Sequence, residues 1–189
     1  MKADLKNDRR TQKTKKYLAA ALIELIREKG YDAITIQDII ERANVGRSTF
    51  YSHYESKEQL LVGNINFQQA LIDLPGSSPE NYPFGVNLDY LFKHTREHLD
   101  LARILARSKS IDIISNHFAD ICAGQIYQQL KKQLTDRKEH KIAYYKAEAA
   151  AGGIIRMLFK WLADGAVIAA EEMITQATLI LSTCSYKQV

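Results

Sequence analysis

Thr35-Ile-Gln-Asp-Ile-Ile-Glu-Arg-Ala-Asn-Val-Gly-Arg-Ser-Thr-Phe-Tyr-Ser-His-Tyr54 is the stretch that decides how the rest of the chain is read. Ile36, Ile39, Ile40 and Ala43 recur at helical spacing and give its first half one apolar face. Thr35, just before them, has the chemistry of an N-cap. Asp38 three residues later completes a capping box with Asp in place of Glu. Asn44 follows the last apolar residue and tolerates the left-handed conformation that ends many helices. Gly46 then lets the backbone turn or cap a second helix. Val45, Phe50 and Tyr54 read as inward-facing. Arg47, Ser48, Thr49, Tyr51 and His53 are left over, all able to hydrogen bond and none needed in a core. One supporting helix followed by one that displays polar side chains is the form of a helix-turn-helix, whose second helix enters the DNA major groove.

The pattern Ile36-x-x-Ile39-x-x-x-Ala43-x-Val45-x-x-x-Thr49-Phe50-Tyr51-x-His53-Tyr54, followed by Ser56-Lys57-Glu58-Gln59-Leu60-Leu61, resembles the DNA-binding domain of TetR/AcrR-type transcriptional regulators. The resemblance covers residues 10 to 62, a third of the chain. Two positions depart from it. Gly46 stands where the family often has Ser or Thr, which removes a side-chain cap from the recognition helix. Ser48 stands where Gly or Ala is common and adds a candidate contact. The resemblance implies a homodimer on a palindromic operator in double-stranded DNA, most often as a repressor. Arg47, Ser48 and Thr49 open the recognition helix, and one or more of them is expected to reach base edges. Tyr51, His53 and Lys57 are expected mainly at phosphates, with Lys13, Lys16 and Thr35 completing the DNA-binding set. Lys57 stands at the start of a further helix, where its ammonium and free backbone N–H groups would together form a phosphate site.

The distribution of charge agrees with this reading. The net charge of the 189 residues is +4. Residues 1 to 57 hold twelve Lys and Arg against eight Asp and Glu, whereas residues 58 to 189 hold fourteen of each. All the excess therefore lies on the segment with the helix-turn-helix. Seven bases (Lys2, Lys6, Arg9, Arg10, Lys13, Lys15, Lys16) fall within the first 16 residues. A run of this kind alone could be a solvated tail; beside a helix-turn-helix, phosphate neutralisation explains it better.

Composition sets outer bounds. Apolar residues make up 46% of the chain, with three prolines and nine glycines, which suits a mostly helical globular protein. No uncharged apolar run reaches the roughly 18 residues of a membrane span, and the basic N-terminus lacks an apolar signal core. We therefore expect a cytoplasmic protein with no membrane partner. Cys122 and Cys184 lie in helix-like apolar segments and read as reduced core residues.

In chain order, residues 1 to 9 are expected as a mobile arm. An amphipathic helix follows from Arg10 to Lys29, ended by Gly30. After the helix-turn-helix, Ser56-Lys57-Glu58-Gln59 has capping-box spacing and predicts a fourth helix to Ile72. Residues 75 to 85 hold all three prolines and predict a loop. Helical periodicity resumes over 86–107, 111–134, 140–163 and 171–185. The expected fold class is all-α. Residues 1–62 would form an N-terminal arm and three-helix DNA-binding domain, and residues 63–189 a larger helical regulatory and dimerisation domain.

Two features of that larger domain point to function. Ala147, Ala149, Ala150, Ala151, Gly152 and Gly153 form a run of small residues that lets helices approach closely. Intrachain packing would explain it; a homodimer four-helix bundle is the sharper reading, with Ala149, Gly152, Gly153, Arg156 and Trp161 at the interface. Gly152-Gly153 with Phe159-Lys160-Trp161-Leu162-Ala163-Asp164-Gly165 also faintly resembles a subgroup that includes dihydroxyacetone-kinase regulators. The helices at 86–107 and 111–134 are not needed for dimerisation and carry polar groups among apolar ones. They are read as an effector-binding region with His94, His98, Arg103, His117 and Tyr127, a small molecule there releasing DNA. A body that serves only dimerisation or contact with a protein partner is the alternative.

Enzymatic readings find little support. His94 and His98 stand four apart and could face one metal, but no third ligand has suitable spacing, so no metal site is read. Arg103 and Arg107 share a helix face and could receive an anion or pair with Asp100 or Asp112. No Gly-rich phosphate loop, nucleophile elbow or zinc-protease motif occurs. Neither an enzyme nor a cofactor is expected.

Overall fold

The structure is a computed structural model that describes residues 2–64 and 82–184, with side chains from Arg10 onward except at 64, 83 and 133. Every regular element among them is helical. The chain divides into two compact units, one of Met1–Asn66 with Ser108–Ser110, the other of Phe67–Arg107 with Ile111–Val189.

The first unit begins with α1 (Lys2–Lys29). Its backbone is helical from Lys2, so the expected arm is instead the first part of the helix. No Gly or Pro interrupts the stretch, and Lys, Arg and Gln are good helix formers. Leu18, Leu22, Leu25 and Ile26 are buried along one face. Gly30, at φ 76°, ends the helix as expected. A single 3-10 turn, Tyr31–Ala33, leads to α2 (Ile36–Ala43). The Thr35 hydroxyl accepts from the Asp38 N–H, and the Asp38 carboxylate accepts from the Thr35 N–H at 2.7 Å, so the capping box is complete. Asn44 is left-handed at φ 52°, ψ 49° and stops α2. The five-residue α3 (Arg47–Tyr51) follows from Gly46, which offers no side-chain cap. α4 (Lys57–Asn64) opens with the Ser56 hydroxyl accepting from the Gln59 N–H at 3.1 Å. Residues 65–72 of the expected fourth helix lie outside the described residues, as does most of the proline-containing loop before Tyr82.

Ile39, Phe50 and Leu60 are fully buried in this unit, one each from α2, α3 and α4. Each such side chain contributes about 1.5–3 kcal/mol by leaving water, which lets a helix as short as α3 hold its place. The Asp32 carboxylate accepts the Lys109 N–H at 3.0 Å and so ties Ser108–Ser110 into the same unit.

In the second unit, the helix expected over 86–107 is broken. A π turn at Tyr90–His94 leads into Thr95–Glu97, His98 departs from helical geometry at φ −110°, ψ 37°, and α5 (Leu99–Ala106) begins anew. Thr95 accounts for part of this. Its hydroxyl donates to the carbonyls of Leu91 at 2.6 Å and Phe92 at 3.1 Å, competing with the backbone ladder. α6 (Ile111–Leu130), the turn Lys131–Gln133 and α7 (Arg137–Ala163) form an antiparallel pair. Ile114, Phe118, Cys122 and Ile126 of α6 are buried in the core to which α7 adds Ala143, Ala147, Ala150, Ala151, Ile154 and Leu158. Burial pushes the Cys122 thiol up to about 12, so it stays protonated. α8 (Ala170–Ser182) packs on α7.

Candidate functional site

α3 divides its side chains cleanly between core and solvent. Phe50 is 0% exposed and Tyr54, just beyond the helix, 6%. Arg47, Ser48 and Tyr51 are exposed, and Thr49 and His53 half-exposed. These five of the nine residues expected to meet DNA therefore stand outside the core on and beside one short helix. On α1, Lys13 and Lys16 are exposed, and the Lys13 ammonium lies 5.6 Å from the centre of the exposed Tyr17 ring. Exposed cations, hydroxyls and phenols on α1 and α3, the latter anchored by Phe50, can bind phosphates and read base edges.

Lys57, Thr35 and Arg47 have partners within the chain. Lys57 does not present its ammonium at the N-terminus of α4. It donates to the carbonyls of Tyr31 at 3.1 Å and Ile34 at 2.9 Å, and lies 4.5 Å from the centre of the Tyr31 ring. The Tyr31 carbonyl also accepts the Ile34 N–H at 3.2 Å, and the ammonium joins both ends of the connector as an internal clasp. The phenol of Tyr31 donates in turn to Glu58, and burial with that carboxylate raises its pKa. Thr35 is exposed, but its hydroxyl also donates to Asp38 at 2.6 Å within the cap. Lys29 pairs with the same carboxylate at 2.8 Å, and these contacts hold Asp38 well below the usual carboxylate range.

Gln37 was missed in the sequence. Its Oε1 accepts from an Arg47 Nη2 at 2.9 Å, and its Nε2 donates to Glu41 at 2.6 Å. A glutamine on the solvent side of an amphipathic helix carries no signal of such a role.

In the second unit the run of small residues splits between two faces of α7. Ala147, Ala150 and Ala151 are buried inside the chain, whereas Ala149 and Gly153 are exposed and Gly152 half-exposed. A Cβ at Gly152 or Gly153 would meet nothing within 4 Å, so no contact within the chain requires glycine there. The same face carries Ile142 and Tyr145, 41% and 59% exposed, and Arg156. Trp161, expected at an interface, is a core residue instead. It is 5% exposed, donates its indole N–H to the Ile168 carbonyl at 3.0 Å, and packs against Phe92.

The five expected effector residues do not gather in one place. His94 stacks on Tyr90 and meets His98 edge-on, with ring centres 4.6 Å apart on each side. Burial and the neighbouring His98 lower the His94 pKa. His117 is half-buried beside Phe118, and burial lowers its pKa also. The Tyr127 hydroxyl is 3.2 Å from Nδ1 of His140. Arg103 approaches Gly165, and Arg107 donates to the Ala163 carbonyl at the end of α7, favourable for the helix dipole. None of the five lines the cleft of about 580 Å³ between α6 and α7, which has Asp112, Ser115, Asn116, Gly152, Arg156, Phe159 and Lys160 in its walls. Among the described residues, no group of three or more His, Cys, Asp or Glu could hold a metal ion, and no helix is long and apolar enough to cross a membrane.

Comparison with known proteins gives two family matches. Residues 18–63 match the model of bacterial regulatory proteins of the tetR family, and residues 87–183 that of a transcriptional regulator C-terminal region. The biofilm operon icaADBC negative transcriptional regulator IcaR of Staphylococcus epidermidis is 32% identical over 73 residues, 38% of this chain and 40% of that protein. The dhaKLM operon activator DhaS of Lactococcus lactis is 26% identical over 98 residues, 52% of this chain and 51% of that protein. The chain spans between 14% and 54% of the length of the curated relatives it matches. Among solved structures, a TetR transcriptional regulator from Streptococcus agalactiae 2603V is similar with a TM-score of 0.59 and 27% identity, over 96% of this chain and 99% of that one. The structure of a DhaS activator gives 0.58 and 20% identity, over 90% and 94%, a likeness of fold.

Proposed function

The chain belongs to the TetR family of bacterial regulatory proteins, and from that premise we propose that it binds a palindromic operator as a homodimer, represses transcription there, and is released by a small molecule. The observation that carries the DNA-binding part is the division of α3. Phe50 and Tyr54 fix the helix from below, leaving Arg47, Ser48 and Thr49 outside the core for base edges and Tyr51 and His53 for phosphates. Lys13 and Lys16 on α1 add flanking phosphate contacts. Residues 1–62 serve as the DNA-binding head and 63–189 as the body. The test is to purify the protein with its bound genomic DNA and sequence what is retained. A recurrent inverted repeat is expected; a random sample of the genome would defeat the operator reading.

Dimerisation rests on the exposed face of α7. Glycines that nothing within the chain requires, beside solvated Ile142 and Tyr145, suit a surface that a second copy covers. Effector control rests on the α6–α7 cleft, whose volume falls within the ordinary range of small-molecule sites and whose walls mix apolar groups with Arg156, Asn116 and Ser115. One observation favours the alternative, a body that only dimerises. Gly152 and Arg156 belong both to the cleft and to the expected interface, so a second copy could fill the space.

A further inference from the structure

We infer that Gln37 is a specificity-determining positioning residue, which holds the Arg47 guanidinium as the reader of one guanine in each operator half-site. The inference rests on the operator reading above. Arg47 is the first residue of α3 and Gln37 the second of α2, so the two helix starts lie side by side. Arg47 donates from Nη2 to Gln37 Oε1 at 2.9 Å, and Gln37 donates from Nε2 to a Glu41 carboxylate oxygen at 2.6 Å.

The chemistry of the three groups permits only this direction. A carboxylate accepts and cannot donate; a guanidinium donates and cannot accept. The amide between them must therefore turn its N–H to Glu41 and its oxygen to Arg47. A flipped amide would lose both bonds at once. The negative charge at Glu41 also polarises the amide toward the cation, which strengthens the second bond. All three side chains are exposed, so without this relay the Arg47 side chain would sample many rotamers.

One N–H of the five is used, and four remain on the fork. Guanine presents O6 and N7 side by side in the major groove, and two parallel N–H groups of arginine match them. A guanidinium already held in one orientation meets this pair with less freedom to lose. Gln37 thus adds selectivity for G·C through Arg47 while touching no base itself.

The experiment selects bound sequences from a pool of randomised duplexes, using the full chain and the variants Arg47→Ala, Gln37→Met, Glu41→Leu and Arg47→Ala with Gln37→Met. Methionine keeps the length and helix preference of glutamine without its amide. The wild type is expected to enrich an inverted repeat with one G·C pair per half-site that Arg47→Ala abolishes. Gln37→Met should weaken preference at that same pair at least about fivefold, the lower end of what one bidentate contact contributes. The other positions, the salt dependence and the melting temperature should hold. Glu41→Leu should weaken the same pair to a smaller degree, and the double variant should equal Arg47→Ala, since the amide then has nothing to hold. A Gln37→Met profile like that of the wild type overturns the inference, as does a change at a different base pair or a uniform loss with a lower melting temperature. A wild-type chain that enriches no sequence overturns the operator reading itself, and this inference with it.

Discussion

At the scale of the residue, Lys57 changes its meaning most between sequence and structure. Its ammonium donates to two carbonyls of the connector between α1 and α2, so Lys57→Met should destabilise the DNA-binding unit by about 1–3 kcal/mol, the loss of part-buried hydrogen bonds from a charged donor. Urea unfolding of the variant checks this. Unchanged stability combined with a shallower salt dependence of DNA binding would return Lys57 to the phosphates. Asp38 supports a prediction in pH. Lys29 and the Thr35 hydroxyl and N–H depress its folded-state pKa below the ordinary value near 3.9. Its contribution is therefore complete above that value and declines as pH falls through the folded pKa. Asp38→Asn should lower stability at neutral pH and flatten the stability profile below about pH 4. Melting temperatures measured between pH 2 and 7 would reveal it, and an acid limb of unchanged steepness would move the titration elsewhere.

At the scale of the element, α7 supplies the sharpest test. Gly153 faces open space, so Gly153→Leu leaves the folded unit intact and raises helix propensity by about 1 kcal/mol. Sedimentation of the variant should show monomers, and operator binding should fall with the dimer. A dimer that persists would place the interface on another face. The elements also show what could be read without a structure. Thr35, Asp38, Asn44 and Gly30 were legible because a helix start or stop is settled by residues within one turn of it. The exposure pattern of α3 followed from the chemistry of its side chains, Phe50 inward and the hydrogen-bonding groups outward. The break at His98, the clasp of Lys57, the burial of Trp161 and the Arg47–Gln37 contact were not legible. Lys57 meets carbonyls 23 and 26 positions away and Trp161 meets Phe92 across the unit, so only tertiary packing decides them. The split of the small-residue run was half legible. Its composition announced close packing, but which residues faced inward depended on where α6 lay.

At the scale of the whole molecule, effector release requires only that a ligand favour the shape that cannot bind DNA. A coupling of about 1–3 kcal/mol would lower operator affinity some 5- to 150-fold. Linkage is reciprocal, so operator DNA must weaken ligand binding by the same factor. Metabolites that raise the melting temperature should be titrated by calorimetry with and without operator. An affinity indifferent to DNA would leave the dimer-only reading of the body. One arrangement in the DNA-binding unit bears on how such a protein changes over generations. Phe50 and Tyr54 carry the stability of α3, while Arg47, Ser48 and Tyr51 carry none of its core. Mutations that retarget the protein to a new promoter therefore need not pass through poorly folded intermediates. A duplicated copy could diverge in the genes it governs while its scaffold stayed under purifying selection.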